Sequence, residues 1–437
     1  MRPDGPSLLL INPWIHDFAA YDFFAAPLGL LSLAGLLRDR GFAVHLLDCL
    51  DGPRARPGPY GTGRYAKEIL PTPPGLGDLP RRYGRYGVSP APFRAQLSRL
   101  APPDAVLVTS LMTYWHPGVA EAICLVRERF PAAPVILGGV YATLCPDHAR
   151  RASGADLVIS GPGEAPLLAA LADITGVSAA PPDPEDLDVL PYPALDLLPR
   201  LSFLPLLTSR GCPFACDYCA SPLLQPRYRR RSPPPVVEEL LFWQRRLDLE
   251  EVAFYDDALL VGADSHLFVI LEELARRGAV FRFHTPNALH ARGLTRQAAG
   301  LLKAANFATV RLAVETTAVG DDRPDRKLAR GELEEALANL HEAGFRRGEV
   351  GVYLLVGLPG QEEAEVTTSI RRVRELGGRP LLAYYSPLPG TALWPRAAAA
   401  SRYDLAADPL FHNNSLMPCW PEFSWERLTR LQRLCRE

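Results

Sequence analysis

Short apolar, β-rich runs alternate with amphipathic helical stretches along most of this chain, and the alternation starts twice. That pattern is the mark of parallel α/β sheets. In the first series LLLIN (8–12), FAVHLLD (42–48), DAVLVTS (104–110), PVILGG (134–139) and DLVISG (156–161) read as strands. PLGLLSLAGLLRDRG (27–41) reads as a helix with Pro27 near its start and Gly41 as its stop signal, and further helical stretches lie at 117–130 and 142–152. Five strands with crossover helices predict a flavodoxin-like (Rossmann-type), doubly wound domain over 1–176. Inside it, 51–103 sets tyrosines and arginines among glycines and prolines, fits no regular pattern, and reads as an insertion or lid. The Pro- and Asp-rich stretch 177–200 reads as a linker. A second series then places strands at 204–209, 251–257, 280–285, 308–315, 349–357 and 380–386, with helices at 233–247, 264–277, 294–304, 331–343 and 363–376. Six strands and five helices predict a partial (β/α)6, TIM-like barrel over 201–395. Residues 396–437, with a helix at 424–436, read as a C-terminal extension.

Composition bounds the function. The 47 basic side chains nearly cancel the 49 acidic ones, for a net charge of -2. Such a balance argues against nucleic acid as the main partner. Hydrophobic residues at 48% with 22% charged describe a folded protein with a substantial core. The apolar run Leu8–Ile11 is too short for a signal-peptide core or a membrane span, so a cytoplasmic protein without a membrane span is expected. The eight cysteines are too few for a disulfide framework in 437 residues, yet three of them crowd into eight positions.

Those three are Cys212, Cys216 and Cys219 in SRGCPFACDYCAS, on the expected loop between the first strand and first helix of the barrel. Structural zinc wants four ligands, commonly in two knuckles, and no second pair follows. A disulfide suits neither the expected compartment nor the odd number. Three thiolates spaced CxxxCxxC suit a [4Fe–4S] cluster with one iron open to another ligand.

With these residues the chain resembles the radical S-adenosylmethionine (SAM) enzymes. Tyr218 stands just before the third cysteine, as in that family's motif. YDD (255–257), Glu315 in VRLAVE, GLPG (357–360) and SPLPGT (386–391) follow in order on successive strand ends. The resemblance covers about 200–395. It implies that SAM chelates the open iron and is cleaved by an electron from the cluster to a hydrogen-abstracting 5′-deoxyadenosyl radical. It also implies a flavodoxin- or ferredoxin-type electron donor.

Barrel geometry gathers ligands at the carboxyl ends of the strands. Strand alternation places Arg311, Ala313 and Glu315 on one face, so Glu315 could accept from ribose hydroxyls while Arg311 holds a carboxylate. The alternative is an internal Arg–Glu ion pair. Asp256 or Asp257 accepts from the methionine ammonium, unless the pair caps the next helix. The family's glycine–glycine–acid pattern is replaced here by YDD, which leaves open which aspartate faces SAM. Gly357, Pro359 and Ser386 complete the expected SAM contacts, although the glycines of GLPG could also simply end a strand.

The front half, with LLLINP, PLGLLSLAGLL, PVILGGVYATLCP and DLVISGPGE, resembles the cobalamin-binding domain that precedes the barrel in many radical SAM enzymes. The resemblance covers about 7–175. It implies that the strand-end loops hold the corrin and its nucleotide tail, with Thr109, Ser110, Gly138, Gly139, Gly161 and Glu164 as contacts. Ordinary strand-end chemistry accounts for the same residues equally. The DxHxxG motif with its cobalt-ligating histidine is absent, and His16, His45 and His116 read as surface or packing residues. Met112, Tyr114 and Trp115 would cover the corrin's lower face or pack between domains.

The remaining cysteines, 49, 124, 145, 419 and 435, show no metal spacing and read as small hydrophobes. RYRRRS (227–232) reads as a solvated charge run that could alternatively grip an anion. Together the resemblances imply a cobalamin-dependent radical SAM enzyme that methylates an unactivated carbon of a small-molecule or lipid-like substrate. Two other functions stand beside it. One is radical ring formation, rearrangement or oxidation; the other is a non-catalytic cobalamin or Fe–S sensor or electron-transfer module.

Overall fold

The computed structural model describes residues 5–77, 79–318, 323, 325, 327–420 and 424–437. The chain divides into two compact units, 1–202 with 407–416, and 203–406 with 417–437.

The first unit is built on five parallel strands: β1 (Ser7–Asn12), β2 (Ala43–Asp48), β3 (Ala105–Val108), β4 (Val135–Leu137) and β5 (Leu157–Val158). Their spatial order is β5-β4-β3-β1-β2, the doubly wound arrangement expected from the alternation. β1 is central and almost wholly buried, which is why it reads as a continuous apolar run rather than an alternating one. Its Leu8 and Leu10 pack with Leu30, Ala34 and Leu37 of α1 (Leu28–Asp39) and Leu167, Leu168 and Leu171 of α6 (Glu164–Thr175). The helical stretch expected at 142–152 is two short helices, α4 (Val140–Leu144) and α5 (Pro146–Ala152). Pro146 separates them, because a proline offers no backbone N–H to continue α4.

Two expectations change here. The 51–103 segment is ordered into Arg54–Pro57, Gly63–Tyr65, Lys67–Ile69, Gly84–Tyr86 and the helix α2 (Pro90–Arg99). With Ile15–Asp17 and Tyr21–Asp22 these strands make two small antiparallel sheets, whose strands of two to four residues are too short for period-two patterning to register. The 177–200 stretch is no free linker either. Ala194 is core, its N–H bonds the Leu31 carbonyl at 2.9 Å, and Arg38 pairs with Asp196 at 2.8 Å. A side chain at Gly35 would collide with the Tyr192 carbonyl at 2.2 Å, so glycine permits this close crossing.

The second unit is a parallel half-barrel of β6 (Leu204–Leu206), β7 (Glu251–Phe254), β8 (Arg282–His284), β9 (Phe307–Thr309), β10 (Arg311–Glu315), β11 (Gly351–Val356) and β12 (Arg379–Tyr384). The single fourth strand expected at 308–315 is β9 and β10, broken at Val310. β9 pairs with β8, while β10 pairs with β11 and with the short strand Leu289–His290. The arc therefore bends at one residue. Helices α7 (Pro233–Leu247), α8 (Leu267–Arg276), α9 (Arg296–Ala304), α10 (Glu332–Glu342) and α11 (Glu363–Glu375) follow their strands. Phe254, Phe283 and Phe307 fill the interior with ring centroids 5.1–5.9 Å apart.

Residues 396–437 are not one extension. After α12 (Trp394–Ala400), 407–416 joins the first unit, where Asn413 donates to Asp17 at 2.9 Å. α13 (Trp425–Leu434) returns to the barrel, with Arg430 pairing Glu363 of α11 at 3.2 Å. Among the described residues no helix is long and apolar enough to cross a membrane.

Candidate active site

The three cysteines lie on the loop that leaves β6. Cys216 is buried, while Cys212 and Cys219 are partly exposed. Burial pushes the Cys216 thiol up to about 11 and raises Cys212 as well. The Cys219 N–H bonds the Cys216 carbonyl at 3.0 Å, closing a tight turn. Two thiolates on one tetrahedral ion would stand roughly 3.8 Å apart for a metal–sulfur bond of about 2.3 Å. The three sulfurs do not all lie within 4.8 Å of one another, so the loop does not fit a single shared ion. A cluster that takes one cysteine per iron does not require that spacing.

Two other strand ends and the start of α12 hold this loop. Leu393, beyond β12, donates its N–H to the Asp217 carbonyl at 2.8 Å. The Ser221 hydroxyl bonds the Asp257 carboxylate beyond β7. The Tyr218 hydroxyl donates to Glu315 Oε1 at 2.8 Å at the end of β10. Lys327 Nζ sits 3.4 Å from the same oxygen and 3.3 Å from the phenol. Glu315 is only 7% exposed, and burial raises its carboxyl although Lys327 opposes the shift. Burial likewise raises the Tyr218 phenol. For Lys327 burial works downward, but Glu315 and Cys216 outweigh it and the ammonium is held above its ordinary range. Glu315 also has φ of +65°, a conformation that costs a non-glycine residue about 1–3 kcal/mol and clusters at functional sites.

His290 lies against this loop, its ring centroid 4.3 Å from that of Phe214. Its Nδ1 is buried without a hydrogen-bond partner. Burial holds its imidazole down at about 4. An orphaned polar atom beside the cysteines is what a site shaped for a further polar group leaves behind.

The other expected contacts divide. Asp256 is buried and saturated: Thr208 N–H (3.1 Å), Thr208 Oγ1 (2.7 Å) and Ser209 Oγ (2.5 Å) all donate to it. It ties the end of β7 to the chain leaving β6, while its neighbour Asp257 is exposed. Arg311 does not join Glu315. It begins β10, four residues away and roughly 13 Å along a strand at about 3.3 Å per residue. There its Nη1 bonds the Val310 carbonyl at 3.0 Å and its guanidinium meets the Tyr353 phenol. A register shift between Ala313 and Glu315 breaks the alternation that put the two on one face. Gly357 (φ +93°) and Gly360 (φ +78°) form the turn ending β11, with the Gly357 N–H on Gln361 Oε1 at 2.8 Å. Pro359 lies in that turn, and Ser386 lies half-buried beyond β12. Lys327, His290 and Gln361 escaped sequence reading, because none stands in a spacing that marks it.

In the first unit Ser110 and Gly139 are committed to the fold. Ser110 Oγ bonds the Gly138 carbonyl at 2.7 Å, and a side chain on Gly139 would meet the Ser110 carbonyl at 2.2 Å. Thr109 is half-buried at the end of β3, a side chain at Gly138 would touch the Ile159 carbonyl at 4.0 Å, and only Gly161 of the two glycines has open space there. Glu164 opens α6. Trp115 packs on the cluster of Ile15, Leu50, Tyr65 and Tyr86, with its indole N–H on Asp17 at 2.7 Å. Leu111 and Met112 of the same strand-end loop remain 41% and 43% exposed, an apolar surface that suits a flat macrocycle.

Two family models match parts of this chain. Residues 206–373 match the radical SAM superfamily, and residues 86–171 match the B12-binding domain. The chain carries a radical SAM domain and a B12-binding domain. An uncharacterized methyltransferase of Pyrococcus horikoshii is 25% identical over 342 residues, covering 70% of this chain and 72% of that protein. The anaerobic magnesium-protoporphyrin IX monomethyl ester cyclase of Synechocystis is 27% identical over 247 residues, which are 50% of this chain but only 42% of the cyclase. In fold, this chain is similar to the radical SAM methyltransferase TsrM of Kitasatospora setae, solved with cobalamin and a [4Fe–4S] cluster. The TM-score is 0.65 at 17% identity, covering 94% of this chain and 82% of TsrM. A second TsrM structure, with tryptophan and a SAM analogue, gives a TM-score of 0.67 over 94% and 83%.

Proposed function

We propose that this protein is a cobalamin-dependent radical SAM methyltransferase acting on an unactivated carbon of a small-molecule or lipid-like substrate. The observation that carries the reading is the three-cysteine loop pinned at the strand ends of a parallel half-barrel, beside the buried Tyr218–Glu315–Lys327 set. A B12-binding domain in the same chain and the methyltransferase name of the Pyrococcus relative support the transferred group.

Cys212, Cys216 and Cys219 hold the cluster. Glu315 accepts from the SAM ribose through its carboxylate, with Lys327 opposing the upward shift that burial imposes on it. Asp257 is the aspartate free to accept from the methionine ammonium, because Asp256 has spent its oxygens on Thr208 and Ser209. The turn at Gly357 and Pro359, together with Ser386, borders the adenine. In the first unit Thr109, Gly138 and Gly161 line the path of the nucleotide tail, and Leu111 and Met112 face the corrin. When bound, the reduced cluster supplies the electron that cleaves SAM for hydrogen abstraction, and cobalamin supplies the methyl group. A flavodoxin- or ferredoxin-type protein delivers the electron.

The cyclase relative favours one other reading, radical ring formation or oxidation without methyl transfer. Anaerobic incubation of reconstituted protein with reductant, SAM labelled in its methyl group and a metabolite extract separates the two. Methyl transfer gives S-adenosylhomocysteine, 5′-deoxyadenosine and a labelled product. The alternative gives 5′-deoxyadenosine without homocysteine product or label. Absence of 5′-deoxyadenosine overturns both.

A further inference from the structure

We propose that His116, His148 and Asp408 form a binding site for one divalent first-row metal ion in the first unit, separate from the cysteine loop. They are the one group of three His, Cys, Asp or Glu side chains among the described residues whose ligand atoms all lie within 4.8 Å of one another. Each comes from a different piece of chain. His116 opens α3 (His116–Arg129), His148 lies in α5, and Asp408 lies on the returning segment 407–416.

The chemistry of the three is that of a metal site. Two imidazoles and one carboxylate are a ligand set that zinc and ferrous iron both accept, leaving a coordination position for water. Ligand atoms at about 2.0–2.2 Å from a tetrahedral ion stand roughly 3.3–3.6 Å apart, within the 4.8 Å bound that holds here. His116 Nε2 already lies 2.9 Å from Asp408 Oδ1, and an ion replaces the proton between them. The two imidazole centroids are 4.6 Å apart.

The surroundings orient these ligands. His148 Nδ1 is 2.7 Å from the hydroxyl of the buried Tyr141. With that nitrogen donating to the phenol oxygen, Nε2 is left with its lone pair for a metal, the outer-shell arrangement that ligating histidines use. The Leu410 N–H bonds Asp408 Oδ1 at 2.8 Å and fixes the carboxylate in turn. A His–Asp pair alone would account for His116 and Asp408, but not for a second imidazole braced on a buried phenol. The Asp408 side chain is 37% exposed and His116 11%, so an ion can enter from the Asp408 side. Other bonds tether the returning segment, Asn413 to Asp17 at 2.9 Å and Thr113 to His412 at 3.0 Å. Ligand substitutions therefore leave the segment in place.

The test uses zinc itself on the cluster-reconstituted full chain, stripped with a chelator that spares the cluster and assayed by mass spectrometry of the element. The wild type is expected to take up about one equivalent. His148→Ala and Asp408→Asn bind at least tenfold more weakly, and Tyr141→Phe about tenfold more weakly through loss of the orienting bond. Zinc-edge X-ray absorption is expected to show nitrogen and oxygen neighbours without sulfur. Failure of the wild type to bind zinc, equal binding in His148→Ala, or a sulfur-containing shell overturns the site. Should His148→Ala fold poorly by circular dichroism, the milder Tyr141→Phe and the absorption spectrum still decide.

Discussion

Replacing Asp256 and replacing its neighbour Asp257 should damage different properties. Asp256 accepts from three buried donor groups on Thr208 and Ser209. Asp256→Ala strands all three without an acceptor. Each orphaned donor costs about 1–3 kcal/mol, and because neighbours in one network are not additive the loss should total about 3–5 kcal/mol. That is a large fraction of a typical domain's net stability. Asp257 is exposed and touches the Ser221 hydroxyl, so Asp257→Ala should shift stability by no more than about 0.5 kcal/mol. If Asp257 receives the SAM ammonium, the same change removes a charged hydrogen bond, about 1.5–3 kcal/mol, and weakens SAM roughly tenfold or more. Denaturant unfolding of both variants gives the first pair of numbers, and equilibrium binding of SAM to reconstituted protein gives the second. A stable Asp256→Ala that has lost SAM binding, beside an Asp257→Ala that binds normally, would refute the assignment.

Anaerobic reconstitution should load about four irons per chain, and a triple Cys→Ala variant at 212, 216 and 219 should load none; about eight irons would mean a second cluster. In a double-mutant cycle, Tyr218→Phe and Glu315→Gln should couple by about 1–3 kcal/mol in SAM affinity or stability, whereas additive effects would show that the 2.8 Å contact is energetically idle. Asp48 supplies a pH test, since burial raises its carboxyl from 3.8 to about 6. The unfolded chain then ionises first, so the Asp48 contribution is whole below pH 3.8, falls by about 3 kcal/mol as pH rises to about 6, and stays low above it. Asp48→Asn should abolish that fall, and a wild-type-minus-variant difference flat from pH 4 to 6 would contradict it. Protein from cobalamin-replete cells should carry a corrin with a base-off absorption and EPR spectrum, and failure to bind any corrin at micromolar concentration would return the front domain to another ligand.

The strand order of the first unit and the arc of the barrel were legible because buried parallel strands announce themselves as apolar runs. The cysteine loop stood out in the sequence because its three cysteines share eight residues. What escaped depends on chain segments far apart or on backbone detail. Nothing in the residues 308–315 marks the break at Val310, which arises because β9 continues one sheet while β10 serves another. The shared face assigned to Arg311 and Glu315 failed for the same kind of reason, a register shift that alternation cannot foresee. Asp256 and Asp257 look alike as YDD, and only the donors that β6 brings to one of them tell them apart. Lys327 lies 12 residues beyond Glu315 in a charged run, and its role becomes visible only when Nζ reaches the carboxylate.

The loop that carries the cysteines is held at three points, none of which involves a thiolate: Asp217 to Leu393, Tyr218 to Glu315, and Ser221 to Asp257. Two of those partners stand at or just beyond strand ends and the third, Leu393, at the start of α12, so the loop is braced by the barrel and the helix after it. A small zinc domain differs, because there the ligands are the only long-range contacts and metal binding is the folding energy. Here the bracing places the third cysteine beside an acceptor that is buried, 3.4 Å from the Lys327 ammonium and held at φ +65°. A backbone conformation that costs energy persists only where its surroundings over-determine it. At Glu315 those surroundings are the cysteine loop, through Tyr218, and the Lys327 ammonium. The strain at the end of β10 and the order of the loop after β6 therefore support one another.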